Sequence, residues 1–217
     1  MLHYFPMKVA ISISGAQGKM GKAVSSLLEK SPLFLLASSI LLSDVVIDFS
    51  SPSKLPSLLK ECLQTQKPLV IGTTGYSVEE QKELEKASQK IPVFYAPNFS
   101  IGMALLMNAL DLIKQQAPQD SLIHITETHH VHKKDTPSGS ALLIANGLEQ
   151  PVSHILSIRS NEAVGTHHIA FELLGETLSL QHEAHERSIF ARGALEAALF
   201  LMHKPPGYYT MKDLMNA

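Results

Sequence analysis

The chain has 217 residues, of which 45% are hydrophobic and 18% are charged, so it can bury a core as one or two domains. A formal net charge of -2, with no block of basic residues, argues against a nucleic-acid partner. The single cysteine, Cys62, excludes an internal disulfide, and the apolar run from Leu33 to Leu42 is too short to span a bilayer.

The first residues show no targeting signal. Met1 to Pro6 lack both the charged start and the cleavage site of a signal peptide. We therefore expect a cytoplasmic protein with no membrane segment.

A glycine-rich turn follows the first predicted strand. Lys8 to Ser14 form the predicted strand, Gly15 to Gly21 carry glycine at every third position, and a helical apolar pattern continues to Ser31-Pro32. Strand, glycine turn and helix form the phosphate-binding opening of a dinucleotide fold. The spacing departs from G-x-G-x-x-G, with Ala16 at the usual first glycine position. Because such turns also occur without a ligand, the motif alone is of moderate specificity.

The second predicted strand, Leu33 to Ile40, does not identify the cofactor. Enzymes that bind NAD place an acidic residue near the end of this strand to bind the ribose hydroxyls. Here the strand ends in Ser38 and Ser39, and no acidic residue lies between Glu29 and Asp44. No arginine lies nearby to bind the extra phosphate of NADP. The sequence therefore leaves NAD and NADP open.

Predicted strands and helices then alternate as far as Phe99, which indicates a parallel sheet covered on both faces. Ligands of such sheets bind at the carboxyl ends of the strands, which here are the turns at Gly15, Ser50, Gly72 and Ala96. An ordinary turn remains an equally good interpretation of Gly72-Thr73-Thr74-Gly75. The predicted elements are strand Val45 to Ser50, helix Leu55 to Thr65, strand Pro68 to Ile71, helix Val78 to Gln89 and strand Ile91 to Phe99.

The segment from Glu127 to Ser140 combines groups that carry protons with a predicted helix start. The β-branched residues among the histidines of Ile123 to Val131 predict the end of a strand. Thr136 suits the N-cap, Pro137 suits the first helical position, and Ala141 to Ala145 supply the helix body.

This helix start could hold an anion. The backbone N–H groups of Ser138, Gly139 and Ser140 would lie among the donors that have no partner within the helix, where the helix dipole also favours negative charge. Gly139 allows close approach, and Lys133 supplies a mobile cation. The segment therefore predicts a site for a carboxylate or phosphate beside a proton source.

Two other interpretations of the histidines stay open. A single histidine is more often a surface or hydrogen-bonded residue than a catalyst. A metal site is the second alternative, since His130 and His132 would share one face of a strand and Glu127 and His129 the other. The neighbouring Lys133 and Lys134 argue against a metal, because a dication and an ammonium repel each other. The histidines of this cluster are His124, His129, His130 and His132.

In its motifs the chain resembles the 4-hydroxy-tetrahydrodipicolinate reductases, which act in diaminopimelate and lysine biosynthesis. The histidine segment follows the signature E-x-H-H-x-x-K-x-D-x-P-S-G-T-A, with Ser140 where threonine is usual. The resemblance covers almost the whole chain. The other matching motifs, in chain order, are Gly15-Ala16-Gln17-Gly18-Lys19-Met20-Gly21, Val46-Ile47-Asp48-Phe49-Ser50, Gly72-Thr73-Thr74-Gly75 and Ala96-Pro97-Asn98-Phe99-Ser100.

The resemblance implies a hydride transfer from NADH or NADPH to a cyclic, unsaturated dicarboxylate imine, with an acid supplying the proton. His129 matches the proton donor and Lys133 the second acid, which also neutralises developing charge. Substrate-binding positions match His130, Gly139 and Ser140. His132 lies outside the strongest matches, and we interpret it as supporting rather than catalytic. Cofactor-binding positions match Gly15, Ala16, Gln17, Gly18, Lys19, Met20, Gly72, Thr73, Thr74, Ala96, Pro97, Asn98 and Phe99. No metal is expected.

The resemblance also implies the fold class and the domain layout. We expect an α/β protein with a Rossmann-like parallel sheet, formed by residues 1–98 and 191–217, and a smaller α+β domain with an open mixed sheet, formed by residues 99–190. The smaller domain would bind the substrate and assemble a homotetramer. The connection after the second strand is shorter than is usual in the family, which trims the adenine end of the cofactor site.

Two other functional classes remain possible. A nucleotide-sensing protein without catalysis would keep the glycine turn but would not need His129, Lys133 and residues 138–140. A metal-dependent hydrolase would use the histidine cluster instead.

Overall fold

The computed structural model of the protein describes residues 8–161 and 163–217. Met1 to Pro6, on which the signal-peptide prediction depends, lie outside the described residues. Within those residues the chain divides into two compact units, one ending at Phe99 and resuming at Ser188–Ala217, the other comprising Ser100–Arg187.

The first unit is a parallel sheet of six strands with helices on both faces. Its strand order is β10-β5-β4-β3-β1-β2, and every pairing is parallel. Its strands are β1 (Val9–Ser14), β2 (Phe34–Leu36), β3 (Val45–Asp48), β4 (Leu69–Ile71), β5 (Pro92–Tyr95) and β10 (Gly207–Tyr209), and its helices are α1 (Lys19–Lys30), α2 (Leu55–Thr65), α3 (Val78–Ser88), α6 (Ser188–Leu201) and α7 (Met211–Met215).

Burial on both faces explains the continuous apolar runs of the central strands. One core cluster joins α1 and α6 to one face, and a second joins α2 and α3 to the other. Each residue of β3 and β4 is buried. The predicted α/β architecture of this unit is confirmed.

Strand β2 is shorter than the sequence predicts. The expected strand from Leu33 to Ile40 is wrong at both ends, because only Phe34–Leu36 pair with β1. The backbone N–H of Ala37 still donates to the carbonyl of Ile11 at 2.8 Å, after which the chain turns. The strand lies at the edge of the sheet, where Leu36 remains 55% exposed and no second strand among the described residues extends the ladder.

The second unit is a mixed sheet of four strands with two helices. Its order is β7-β6-β8-β9, in which β7 is parallel to β6 and the other pairs are antiparallel. Helices pack on the face that carries Ile125, Ile169 and Phe171. The elements are α4 (Ile101–Gln116), β6 (Leu122–His129), α5 (Gly139–Gly147), β7 (Ile155–Arg159), β8 (Gly165–Leu173) and β9 (Glu176–Ala184). The open mixed sheet expected for this part of the chain is confirmed.

No helix in the described part of the chain combines the length and the apolar character needed to cross a bilayer.

Candidate active site

The predicted cofactor-binding turns meet at one edge of the first sheet. In register, Ser14 pairs with Asp48, Asp48 with Ile71, and Ile71 with Tyr95, so that β1, β3, β4 and β5 end side by side. The turns that follow these strands must therefore share the carboxyl edge, where ligands of parallel sheets bind. The structure thus brings together the three predicted groups, Gly15 to Met20, Gly72 to Thr74 and Ala96 to Phe99.

The first turn requires glycine at Gly15. Its φ of +82° is a conformation that glycine adopts readily, and a Cβ there would lie 2.5 Å from the carbonyl oxygen of Phe49. The N–H of Gly18 closes the turn on the carbonyl of Gly15 at 3.0 Å, and α1 begins at Lys19. The first turn of α1 contains no acidic residue. A tight turn, a helix start and the Lys19 cation fit a pyrophosphate group.

A buried carboxylate ties two of these turns together. Asp48 is 1% exposed, and its carboxylate accepts from the Ser50 hydroxyl at 2.6 Å and from the Thr73 hydroxyl at 2.6 Å. Since Asp48 ends β3 and Thr73 follows β4, the contact fixes one turn relative to the other. It also explains why Thr73 is buried, whereas Thr74 is exposed.

The predicted cofactor-binding residues differ in their exposure to solvent. Gln17, Gly18, Lys19, Thr74 and Pro97 are exposed, and the remainder are at least partly buried. The Phe99 ring is 1% exposed and stacks on Phe94 with ring centroids 5.8 Å apart. Phe99 therefore packs within the core of the first unit and presents little surface to a ligand.

In the second unit, a row of polar residues crosses the sheet on its helix-covered face. Ser157 pairs with Glu127, Glu127 with His167, and His167 with His182, one residue from each strand. Glu127 is 0% exposed and His167 is 3% exposed. The same face is apolar towards the other end of the sheet, so the row marks where a hydrophobic core gives way to a polar site.

Glu127 binds the predicted proton donor. Its Oε2 atom contacts Nδ1 of His129, and its Oε1 atom accepts from Nη1 of Arg159 at 2.9 Å. Burial acts to raise the pKa of Glu127, but polar contacts from Ser157, Arg159 and Ser138 outweigh burial and lower it. The carboxylate is therefore ionised at neutral pH.

His129 is held in a buried, neutral state at neutral pH. Burial lowers its pKa below the ordinary value, the Glu127 carboxylate opposes that change, and the ammonium of Lys133 adds to the lowering. A Cβ at Gly165 would lie 2.9 Å from Nε2 of His129, so the glycine leaves room beside that atom. With Nδ1 engaged by Glu127, Nε2 is the atom that can exchange a proton with a ligand.

The start of α5 differs from the prediction. The N-cap is Ser138, whose hydroxyl accepts from the N–H of Ala141 at 3.2 Å, and the helix begins at Gly139. The assignments of Thr136 as N-cap and Pro137 as first helical residue are wrong, because the Thr136 hydroxyl accepts from Arg159 at 2.7 Å instead.

This shift reduces the predicted anion site. The N–H of Ser138 donates to Oε1 of Glu127 at 3.3 Å, so Ser138 is not a donor for a ligand. Gly139 and Ser140 remain at the first helical positions. A Cβ at Gly139 would meet no atom within 4 Å, so this position is open to close approach.

Asp135 contacts Lys133, the cation that the sequence predicts to bind the anionic ligand. Nζ of Lys133 lies 2.9 Å from Oδ2 of Asp135. Burial acts to raise the pKa of Asp135, but hydrogen bonds from Lys133 and from backbone N–H groups, including that of Gly139, lower it. The Asp135 side chain is 56% exposed, so an incoming anion can replace it.

The remaining predicted histidines lie just beyond β6. His130 is half-buried and Nη2 of Arg187 lies 3.4 Å from its Nε2 atom, whereas His132 is exposed. Because β6 ends at His129, the expectation that His130 and His132 share a strand face is wrong. Glu127 and His129 do share one, the inward face of β6.

Glu127, His129 and His167 also lie close enough to be considered as a metal-binding cluster, since each offers a ligand atom within 4.8 Å of the others. Glu127 already contacts Arg159, Ser138 and His129, and Nε2 of His167 lies 3.3 Å from the Ser138 hydroxyl. A dication here would have to displace the Arg159 guanidinium and would be repelled by it. The donor set fits a hydrogen-bond network better than a metal ion.

Family models of dihydrodipicolinate reductase match most of the chain, the N-terminus model over residues 35–99 and the C-terminus model over residues 102–215. A 4-hydroxy-tetrahydrodipicolinate reductase of Alkaliphilus oremlandii (strain OhILAs) is 38% identical, covering 94% of this chain and 97% of that protein. The reductase of Caldanaerobacter subterraneus subsp. tengcongensis is 35% identical, covering 97% and 99%. The chain belongs to the dihydrodipicolinate reductase family.

A solved structure agrees with this assignment at the level of the fold. The dipicolinate-bound dihydrodipicolinate reductase from Paenisporosarcina sp. TG-14 has a TM-score of 0.79 and covers 94% of this chain and 98% of its own. It is 23% identical, so the likeness shows the fold alone. The family resemblance and the fold class inferred from the sequence are confirmed.

Sequence reasoning missed several residues of this reductase-family site. His167, His182, Arg159 and Gly165 were not singled out for it, although each lies on the polar row or beside His129. In the sequence, His167 falls on the same alternating positions as Ile169 and Phe171, which is a signal that it faces inward, but only the register of β6 with β8 shows that it faces Glu127.

Burial of His167 predicts a loss of stability in acid. Burial, with help from the neighbouring His129 and His182, lowers its pKa to about 4 from 6.5. The unfolded chain therefore binds a proton that the folded chain does not, and stability falls as the pH falls from 6.5 towards 4. Between about pH 7 and about pH 4.5, the free energy of unfolding of the wild type should fall by about 2 kcal/mol more than that of His167→Phe.

Urea unfolding at the two pH values measures this difference. His124→Phe, which removes an exposed histidine from the opposite face of the sheet, is the matched control and should show the wild-type pH dependence. Equal pH dependence in His167→Phe and the wild type would contradict the assignment.

Proposed function

We propose that this protein is a 4-hydroxy-tetrahydrodipicolinate reductase that passes a hydride from NADH or NADPH to a cyclic dicarboxylate imine, giving tetrahydrodipicolinate for diaminopimelate and lysine synthesis. The observation that carries the proposal is the pairing of His129 with the buried Glu127 beside Lys133 and the start of α5. Membership of the reductase family supports the same reaction. The reduced nucleotide that the reaction consumes supports a cytoplasmic location.

The first unit would bind the nucleotide. Gly15 to Met20 would hold the pyrophosphate at the start of α1, and Gly72 to Thr74 with Ala96 to Phe99 would contact the nicotinamide ribose and ring, all at the carboxyl edge of the sheet. When bound, the cofactor supplies a hydride. We assign this role to residues 1–98 with 191–217, and substrate binding to residues 99–190.

The second unit would bind the dianionic substrate. The N–H groups of Gly139 and Ser140 lie at a helix start, and the ammonium of Lys133 lies in the same segment. A substrate carboxylate would replace the exposed Asp135 at Lys133. His130 and its neighbour Arg187 offer further donors for the substrate.

His129 would supply the proton. A substrate with two negative charges stabilises the imidazolium and so raises the pKa that burial has lowered. Nε2 then donates the proton as the hydride is received, while Glu127 stabilises the positive ring from the Nδ1 side. Lys133 would neutralise charge that develops on the substrate.

The reaction can be tested directly with NADH or NADPH and a freshly generated dihydrodipicolinate precursor. Cofactor oxidation, followed by its absorbance, should depend on the precursor. The double variant His129→Ala/Lys133→Ala should lose at least about a hundredfold in kcat, because general acid catalysis typically contributes that much or more. His124→Ala/Lys134→Ala is the matched control, since it removes an exposed histidine of β6 and the exposed lysine that follows Lys133.

The alternatives give different results in the same assay. Cofactor binding without precursor-dependent oxidation would favour a nucleotide-sensing protein. Activity that disappears on chelation would favour a metal-dependent enzyme, whereas unchanged activity argues against one.

We further propose that the protein uses both cofactors. Asp44, the first acidic residue after β2, accepts from the N–H of Ala10 at 2.8 Å and is thus engaged within the sheet. Ser38 and Ser39 are both exposed just after β2 and can hydrogen-bond either nucleotide.

The Michaelis constants for NADH and NADPH should therefore fall within about tenfold, a gap of roughly 1.4 kcal/mol. Ser38→Asp should raise the constant for NADPH more than that for NADH, because the new carboxylate repels the extra phosphate. A wild-type preference well beyond tenfold would contradict the proposal. Lys134→Ala, far along the chain from β2, serves as the control.

We also propose a homotetramer assembled through the open face of the second sheet. Leu156 and Ile158 pair in register with Thr126 and Thr128, on the face opposite the helices, and are 60% and 42% exposed. Exposed apolar residues on one sheet face are typical of an interface.

Light scattering should give about four times the chain mass of 23.7 kDa for the wild type. Leu156→Asp/Ile158→Asp should lower the mass, since two buried carboxylates would oppose association. Leu42→Asp, on an exposed turn of the first unit, should leave it unchanged. A monomeric wild type at micromolar concentration would rule the assembly out.

A further inference from the structure

Glu127 contacts two functional parts of the second unit at once. Its Oε2 atom contacts Nδ1 of His129, and its Oε1 atom accepts from the N–H of Ser138 at 3.3 Å. His129 is the proposed proton donor, and Ser138 is the N-cap of the helix whose start would bind the substrate anion. The carboxylate is 0% exposed, so these contacts do not compete with water.

Arg159 extends the same contact to the loop before α5. Nη1 donates to Oε1 of Glu127 at 2.9 Å, and Nη2 donates to the carbonyl of Asp135 and to the Thr136 hydroxyl, each at 2.7 Å. The Glu127–Arg159 pair therefore fixes where the chain enters α5. A charge-assisted pair of this kind holds geometry more firmly than neutral hydrogen bonds do.

The contact also decides which nitrogen of His129 can react. An ionised carboxylate accepts but cannot donate, so it selects the neutral imidazole that carries its hydrogen on Nδ1. Nε2 is then left for the substrate. The other charged or titratable groups that act on His129 are Lys133 from the loop, Arg159 from β7, and His167 from β8, with His182 of β9 beyond it.

We propose that Glu127 is a positioning residue that aligns the His129 proton donor with the anion-binding start of α5, one carboxylate oxygen serving each. The proposal rests on the proposed reductase function for its kinetic consequences. Its structural consequence, the tautomer of His129, does not depend on the reaction.

The tautomer can be measured in the wild type without any substitution. Proton–nitrogen correlation spectra of protein labelled with nitrogen-15 histidine distinguish the two neutral forms, and His129→Gln identifies the His129 signals by their loss. The neutral ring should carry its hydrogen on Nδ1. A ring with the hydrogen on Nε2 would overturn the proposal.

Glu127→Gln separates the two oxygens of the carboxylate. The amide oxygen can still accept from Arg159 and Ser138, which leaves the NH2 group facing His129 and should switch its hydrogen to Nε2. We expect kcat to fall by about 10- to 100-fold, the range found for residues that orient a metal-ligating histidine, with KM within about threefold because the start of α5 keeps its partner. The limb of kcat/KM that is lost with rising pH should move to lower pH, because the anion that supports the imidazolium is gone.

Glu127→Ala and Glu172→Gln complete the set. Glu127→Ala removes both contacts and should raise KM as well as lower kcat. Glu172→Gln changes an exposed carboxylate 3.0 Å from His124 on the same sheet and should alter neither the kinetics nor the His129 signals.

The outcomes distinguish a failure of the positioning role of Glu127 from a failure of the proposed reductase function. Wild-type kcat in Glu127→Gln, or a rise in KM alone, overturns the positioning role. A wild-type protein that fails to reduce the precursor removes the proposed function, while the spectra still test the contact between Glu127 and His129. If Glu127→Gln does not fold, the wild-type tautomer decides.

Discussion

The second unit depends on an ionised carboxylate at a site that water does not reach. Removing a carboxylate from water costs several kcal/mol unless charge and hydrogen bonds replace the lost hydration. Glu127 obtains them from Arg159, Ser138 and His129, which come from β7, the loop before α5 and β6 itself. These segments must take their places together, because any one missing would leave a buried charge without compensation. The requirement that stabilises the carboxylate therefore also assembles the site around it.

A similar arrangement, with weaker partners, occurs in the first unit. Asp48 ends β3 and accepts from the hydroxyls of Ser50 and Thr73, so one buried carboxylate links two turns at the edge where the nucleotide would bind. In the described part of the chain, no guanidinium pairs with Asp48. Hydroxyl donors fix these turns without adding a positive charge at the proposed nucleotide site, whereas the Arg159 cation balances the Glu127 carboxylate.

The sequence predicted those features that depend on neighbouring residues. Alternation of strands and helices predicted the parallel sheet, and the glycine turn after β1 predicted the helix that follows it, although α1 begins at Lys19, within the predicted turn. The sequence did not predict which residues of distant strands face each other. His167 lies 40 residues after Glu127, and only the antiparallel register of β8 with β6 brings the two together. The N-cap of α5 was misplaced for the same reason. Thr136 is as good a local cap as Ser138, but Arg159, from a distant strand, donates to the Thr136 hydroxyl.

Asp135 would limit which anions can bind at the proposed anion site of the second unit. A lysine and a helix start that face solvent would attract any small anion. Here the Lys133 ammonium is paired with a carboxylate of the same loop, which is 56% exposed and thus screened by water. A single inorganic anion gains little by replacing it. A rigid dicarboxylate, the substrate proposed above, would place one group at Lys133 and the start of α5 and its second group at other donors, and that difference in charge and spacing would favour it over the resident side chain.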